Sequence, residues 1–169
     1  MVDAGILSED DRVELIEGEI VEMTPIGDAH AACVDGLGEL FVERLRSVAI
    51  TRVQGPVRLG LRSEPQPDIA LLRRRADRYR TGGPGPENVF LLVEVADTTL
   101  AEDRQVKIPL YAAAGIAEAW IVDLKAGRLE VYRRPSALGY RDHIQMRRGD
   151  VVTIEAFPDI AFTVDEILG

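Results

Sequence analysis

The segment Asn88–Ala96, NVFLLVEVA, constrains the fold more than any other part of the chain. It is apolar at nearly every position and rich in branched side chains. Such a run reads as a strand covered on both faces, since a strand with one wet side would alternate. A second run, Ala119–Leu124 (AWIVDL), has the same character. Between them, Thr99–Glu102 fits the Thr-x-x-Glu capping box, so a helix is predicted to begin at Leu100. Pro109 lies about two turns in. It is expected to kink that helix, because it lacks an amide donor and crowds the carbonyl of Gln105. Gly115 is expected to end it. Strand, helix, strand in this order specifies a layered α/β structure.

The flanking segments extend that frame. Val13–Met23, VELIEGEIVEM, reads as a hairpin turning at Glu17-Gly18. From Asp28, a candidate N-cap, Ala32, Leu37, Leu40, Phe41, Arg44 and Leu45 follow a helical period. Ile50–Leu61 reads as extended and broken at Gly55-Pro56, and Pro67–Leu72 (PQPDIALL in context) as a short strand. Leu129–Tyr132 with Tyr140–Met146 reads as a later hairpin, and Phe162–Leu168 as a short helical turn. Arg73–Glu87 reads as an arginine-rich loop ending in a Gly/Pro hinge at Gly82–Gly85, long enough to imply function or mobility.

At 169 residues the chain has room for one domain with a real core, not for two. We expect a single domain over 1–169, with its core at about 12–124 and a C-terminal hairpin extension at 125–169. Apolar residues make up 46% and charged residues 29%, which excludes a disordered chain. One cysteine, Cys33, excludes a disulfide framework and a cysteine zinc site within one chain. No apolar run is long enough for a membrane span, and Met1–Asp11 lacks a leader pattern, so a cytoplasmic setting without membrane contact is expected.

The net charge is −9, the wrong sign for a general nucleic-acid binder, but it is unevenly spread. Residues 1–22 hold eight acids and one base, whereas residues 73–80 hold five arginines and one acid. Either both are solvated surfaces, or the molecule is bipolar and its arginine side meets an anion.

Three charged residues stand in settings unlike solvated surface: Asp68 at the start of PDIALL, Glu94 inside the apolar strand, and Lys107 on the following helix. A carboxylate buried in such a strand needs a partner cation. If adjacent strands bring Asp68 and Glu94 together, their oxygens and a main-chain carbonyl suit Mg²⁺ or Mn²⁺. A nearby ammonium would orient water or balance the charge of a phosphoryl transition state. Asp103, Lys107 and Tyr111 share a helix face, so Asp103 is placed to hold the lysine. The same residues equally suit a structural Glu94–Lys107 ion pair with Asp68 capping a turn. Tyr111, Trp120 and Cys33 read as core.

The runs RVELIEGEIVEMTPIGDAHAACV, PQPDIALL and LLVEVADTTLAEDRQVKIPLYAAAGIAEAWIVDL resemble the Uma-type restriction endonuclease family, a branch of the PD-(D/E)XK nuclease superfamily. The resemblance covers roughly Arg12–Leu124. It implies a restriction-endonuclease-like αβββαβ core, a mixed β-sheet flanked by helices, with an N-terminal β-hairpin and a C-terminal β extension.

Residue by residue, the resemblance implies that Pro67-Asp68 supplies the PD element and Glu94 the acid of the second element. Ala96 stands where that element's lysine would be, which implies that Lys107 supplies the ammonium. Glu14 and His30 also match family positions, as an outer carboxylate and as a contact to phosphate or water; His30 equally reads as a satisfied helix-start residue. The implied activity is hydrolysis of DNA phosphodiester bonds with Mg²⁺ or Mn²⁺ held by Asp68, Glu94 and the Val95 carbonyl. Arg73, Arg74, Arg75, Arg78 and Arg80 are the expected phosphate contacts to double-stranded DNA, and a homodimer would supply two sites for two strands. The alternative is a catalytically silent interaction module that keeps the fold.

Overall fold

The apolar run beginning at Val89 lies in the middle of a six-stranded sheet. In chain order the elements are β1 (Val13–Ile16), β2 (Glu19–Glu22), α1 (Asp28–Leu45), β3 (Ala49–Val53), β4 (Ile69–Arg73), β5 (Val89–Ala96), α2 (Leu100–Glu102), a π-helical turn (Asp103–Lys107), α3 (Ile108–Ala113), β6 (Glu118–Asp123), β7 (Arg128–Ser136), β8 (Gly139–Arg147), β9 (Val151–Ile154), β10 (Phe157–Thr163) and α4 (Val164–Leu168). This computed structural model describes residues 10–169. Asp3 and Glu9 of the acidic stretch, and most of the segment read for a leader, fall outside the described residues.

The sheet order is β3-β4-β5-β6-β7-β8, with β5 and β6 parallel and every other neighbouring pair antiparallel. The run α1-β3-β4-β5-(α2/α3)-β6 is the expected αβββαβ order. β1–β2 and β9–β10 form two further pairs. Among the described residues, no helix is long and apolar enough to cross a membrane.

Strand alternation splits the core in two. Leu91, Val93 and Val95 of β5, with Trp120 and Val122 of β6, pack under α1, α4 and the β9–β10 pair. Leu92, Ala96, Ala119 and Ile121 face the other way, under Ile108 and Tyr111 of α3. Both faces of β5 are covered, which is why its sequence shows no alternation.

Several local expectations hold and others shift. Glu17 (φ 51°) and Gly18 (φ 89°) form the β1–β2 turn, whose two left-handed residues match the twist of a hairpin. Gly115 (φ 78°) ends α3 as expected. The N-cap of α1 is Gly27 in extended geometry, and Asp28 is its first helical residue. The extended stretch after Ile50 ends at Val53, where Gln54 (φ 48°) turns the chain away.

Thr99 precedes the helix but caps nothing with its side chain. Its Oγ1 is spent as a donor to Asp103 Oδ2 at 2.8 Å. The one capping box formed by a hydroxyl among the described residues is Thr163 with Glu166, at α4. The disturbance near Pro109 takes the form of a π turn, with the Ile108 amide donating to the Asp103 carbonyl five residues back. Widening the turn accommodates the proline ring and the missing donor. The strands β9 and β10 have no counterpart in the sequence reading.

The arginine-rich stretch is not a loose loop. Asp77 accepts from Arg75 (2.5 and 2.7 Å), the Tyr79 amide (3.1 Å) and the Thr81 amide (3.2 Å), and Tyr79 OH donates to the Arg73 carbonyl at 2.7 Å.

Candidate active site

The β4–β5 register sets Ile69 opposite Val93. Continued one residue before β4, that register places Asp68 across from Glu94. Glu94 shares its strand face with Leu92 and Ala96, the face under α3. A cleft of about 170 Å³ opens here, and its walls include Glu14, His30, Asp68, Glu94, Asp103 and Lys107. All six residues singled out for the site, apart from the arginines and the Val95 carbonyl, thus come together; Val95 also lines the cleft.

The π turn delivers Lys107, which is only 7% exposed. Its ammonium pairs with Glu14 Oε1 at 3.0 Å and Glu94 Oε2 at 3.3 Å. The hydroxyl of Tyr111 donates to Glu94 Oε1. Glu14 Oε1 also accepts the Gln66 amide at 2.7 Å. Asp68 Oδ2 takes the Val95 amide at 2.8 Å and meets His30 Nε2 at 3.0 Å, while Gln54 Nε2 reaches Asp68 Oδ1 at 3.4 Å. Asp103 is tied to Thr99 rather than to Lys107, so the lysine is held by Glu14 and Glu94 and feels Asp103 only through its charge.

Burial raises the Glu94 pKa well above the usual carboxylate range; Lys107 opposes the rise, and the charges of Asp103 and Asp68 add to it. Burial likewise pushes Asp103 up to about 6. Burial alone would lower the Lys107 pKa, but Glu94 and then Glu14 outweigh it and keep the ammonium charged. The hydrogen bond that His30 makes to Asp68 raises the histidine's pKa. His30 Nδ1 is buried and has no hydrogen-bond partner. The cleft therefore gathers six carboxylates (Glu14, Asp68, Glu94, Asp97, Glu102 and Asp103) against Arg12, Lys107 and His30, a surplus of negative charge.

Two comparisons bear on this geometry. A model of the Uma2 family, described as "Putative restriction endonuclease", matches residues 4–165. The chain belongs to the Uma2 family. A crystal structure from Anabaena variabilis, described as "a putative nuclease belonging to DUF820", superposes with a TM-score of 0.75 at 16% identity. It covers 98% of this chain and 94% of that one, so the fold is shared along nearly the whole length. A search of curated proteins gave no match.

In this Uma2 chain Ala96, where the resemblance led us to look for a lysine, is 1% exposed within the core under α3. A lysine there would have to enter packed apolar space, and the ammonium arrives from the π turn instead. Among the described residues, no group of three or more His, Cys, Asp or Glu side chains is set to enclose a metal ion.

The five loop arginines lie elsewhere. From Asp68 to Arg73 the chain runs the length of β4, about 17 Å at about 3.3 Å per residue, so they stand at the opposite end of the strand from the carboxylates. Arg73 donates to the Glu87 carbonyl and covers Phe90, Arg74 donates to the Arg46 carbonyl, and Arg75 is paired with Asp77. Tyr111 belongs both to the core and to the site. Its spacing from Lys107 put it on the right face, but a tyrosine in an apolar stretch carries no sign that its hydroxyl meets a carboxylate. Arg12, Gln66 and Asp97 also line the cleft, and nothing in their sequence setting marks them.

Proposed function

We propose that this Uma2 protein hydrolyses DNA phosphodiester bonds in the cleft, using Mg²⁺ or Mn²⁺ held by Asp68, Glu94 and the main-chain carbonyl of Val95. The observation that carries the reading is that Asp68 and Glu94 line one cleft, with a buried ammonium 3.3 Å from Glu94. The donors suit a hard divalent ion that keeps its waters and takes a phosphate oxygen, which needs only one or two protein carboxylates. The surplus negative charge of the cleft and the unpartnered His30 Nδ1 suit a site completed by a cation and a polar ligand. Restriction-endonuclease-like nucleases generally use divalent metals, and the Anabaena protein of the same fold is described as "a putative nuclease".

Such a metal, when bound, polarises a phosphoryl oxygen and lowers the pKa of its water. Lys107 keeps its proton at neutral pH, so it stabilises developing negative charge and does not abstract a proton. Two of its three donors are held by Glu14 and Glu94, which fixes where the third points. Asp103, with a pKa near 6, is ionised at neutral pH and lines the cleft, which makes it the group able to accept the proton of an attacking water. The Val95 amide and His30 hold Asp68 in one orientation. A two-fold homodimer would offer one such cleft to each strand of a duplex.

A second reading, a silent interaction module, has one feature in its favour: Lys107 already has two carboxylate partners, as a purely structural ion pair would. Plasmid cleavage separates the two. Purified protein with Mn²⁺ or Mg²⁺ should convert supercoiled plasmid to open-circle and linear forms, and EDTA, Asp68→Asn and Glu94→Gln should each stop it. No cleavage by the wild type, or cleavage unchanged in both variants, would sink the hydrolase reading.

A further inference from the structure

Between Arg44 and Arg80 the chain carries ten arginines and three acids, although its net charge is −9. The fold gathers much of this stretch along one side. β3 is an outer strand of the six-stranded sheet, paired only with β4. At its far end a groove of about 530 Å³ is walled by Arg46, Arg74, Arg75 and Arg78 over Ile50 and Thr51. No carboxylate among the described residues pairs with Arg46, Arg74, Arg78 or Arg80, whereas Arg44, Arg58 and Arg75 each have one.

Of these four, Arg74 is anchored on the Arg46 carbonyl, and the backbone that carries Arg78 is fixed. Arg78 (φ 50°) and Tyr79 (φ 64°) are consecutive left-handed residues, a conformation that costs energy in non-glycine residues and is kept here by the Asp77 hydrogen bonds and by buried Tyr79. Arg52 and Arg75 flank the Tyr79 ring at 5.6 and 4.3 Å, so Arg52 of β3 joins the set. At its other end the same edge leads to Gln54, whose side chain reaches Asp68.

We infer that the β3 edge and this groove form a rail for the phosphate backbone of duplex DNA, running from the cleft to the arginine end. That the rail serves the cleft rests on the hydrolase reading; that it binds phosphates does not. The exposed side of α1 between the same two ends carries Asp28, Asp35, Glu39 and Glu43, so it repels a backbone and leaves the β3 side as the route. From His30 to Arg46 is sixteen helical residues, about 24 Å at 1.5 Å each. At about 3.4 Å per nucleotide step, a duplex must exceed about 7 base pairs to reach both ends.

The test measures binding of fluorescein-labelled duplexes of 6 and 20 base pairs to metal-free protein over a salt series. The probe is DNA alone, so no cleavage is needed. For the 20-mer, Arg46→Gln with Arg78→Gln should lower the slope of log K against log salt by about 1.8, since each phosphate that a guanidinium no longer neutralises removes about 0.9. The 6-mer, unable to span both ends, should bind much more weakly and respond less to the substitutions. Arg134→Gln with Arg141→Gln, on the β7–β8 hairpin, should leave the slope unchanged. Arg74→Gln with Arg80→Gln serves as a second pair should the first fail to fold. An unchanged slope in both pairs would overturn the rail. So would polyglutamate of matched charge competing as well as DNA, since the surface would then suit an acidic protein. A lowered slope in a protein that cuts nothing would keep the rail and reject the hydrolase reading, so the two failures are distinguishable.

Discussion

Replacing Lys107 with methionine keeps the side-chain length and removes the charge. It leaves Glu14 and Glu94 buried at 5% and 3% exposure without the cation they share. Breaking a buried pair by deleting one partner costs about 3 kcal/mol or more, because the remaining charge is uncompensated. The cost depends on pH, and its sign follows from Glu94. Burial raises the folded pKa of this acid above its unfolded value of about 4.3, so the folded state holds the extra proton and stability falls as pH rises from about 4.3 towards the folded pKa. Lys107 opposes that rise, so its removal widens the window and deepens the loss. Because Glu94 takes up its extra proton as the pH falls, the K107M deficit should be smaller at pH 5 than at pH 8. At pH 8 a deficit of about 3 kcal/mol should lower the melting temperature by roughly 6 to 12 °C for a chain of this size. Thermal unfolding followed by circular dichroism at both pH values reads this directly. Equal melting at pH 8, or the same deficit at pH 5 and pH 8, would refute the argument that two buried carboxylates depend on this ammonium.

Three further outcomes follow from other parts of the structure. Mn²⁺ at a hundred times its dissociation constant should stabilise the wild type by about 2.7 kcal/mol, read as a rise of roughly 5 to 11 °C in melting temperature, and Asp68→Asn should abolish the rise. Glu118, fully buried, accepts from Trp120 Nε1 (2.8 Å), Arg133 Nε (3.0 Å) and the Glu155 amide (2.7 Å), so Glu118→Ala should cost about 3 kcal/mol in a urea melt by orphaning those donors. Asp77→Ala should expose the Arg75–Arg80 stretch to trypsin, with cleavage there under conditions where the wild type stays intact, because Asp77 organises that turn.

The parts of the fold that were legible in sequence are those where periodicity and punctuation agree. β5 and β6 announce themselves because both of their faces are covered, and the β1–β2 hairpin because Gly18 permits the turn its strands need. β9 and β10 do not, since Pro158 and Asp159 interrupt the second and a register shift breaks their pairing. Pro109 signalled a disturbance, but whether a helix kinks or widens depends on what it packs against. Here the widened turn places both Asp103 and Lys107 in the cleft.

For the site, Asp68, Glu94 and Lys107 could be picked out as charges in the wrong surroundings, and the β4–β5 register explains why the two carboxylates line one cleft. The Glu14–Lys107 contact depends on how the β1–β2 pair docks against the π turn, and no local pattern encodes that. The arginines after β4 were visible as a cluster, but not that strand direction carries them away from the carboxylates.

The most direct test of the central claim is a crystal of the protein soaked in Mn²⁺ and measured at an energy where manganese scatters anomalously. The account predicts one strong peak between the Asp68 and Glu94 carboxylates, at about 2.1 to 2.2 Å from an oxygen of each. Electron density that shows both carboxylates bonded as they are without metal, and no anomalous peak between them, would contradict it.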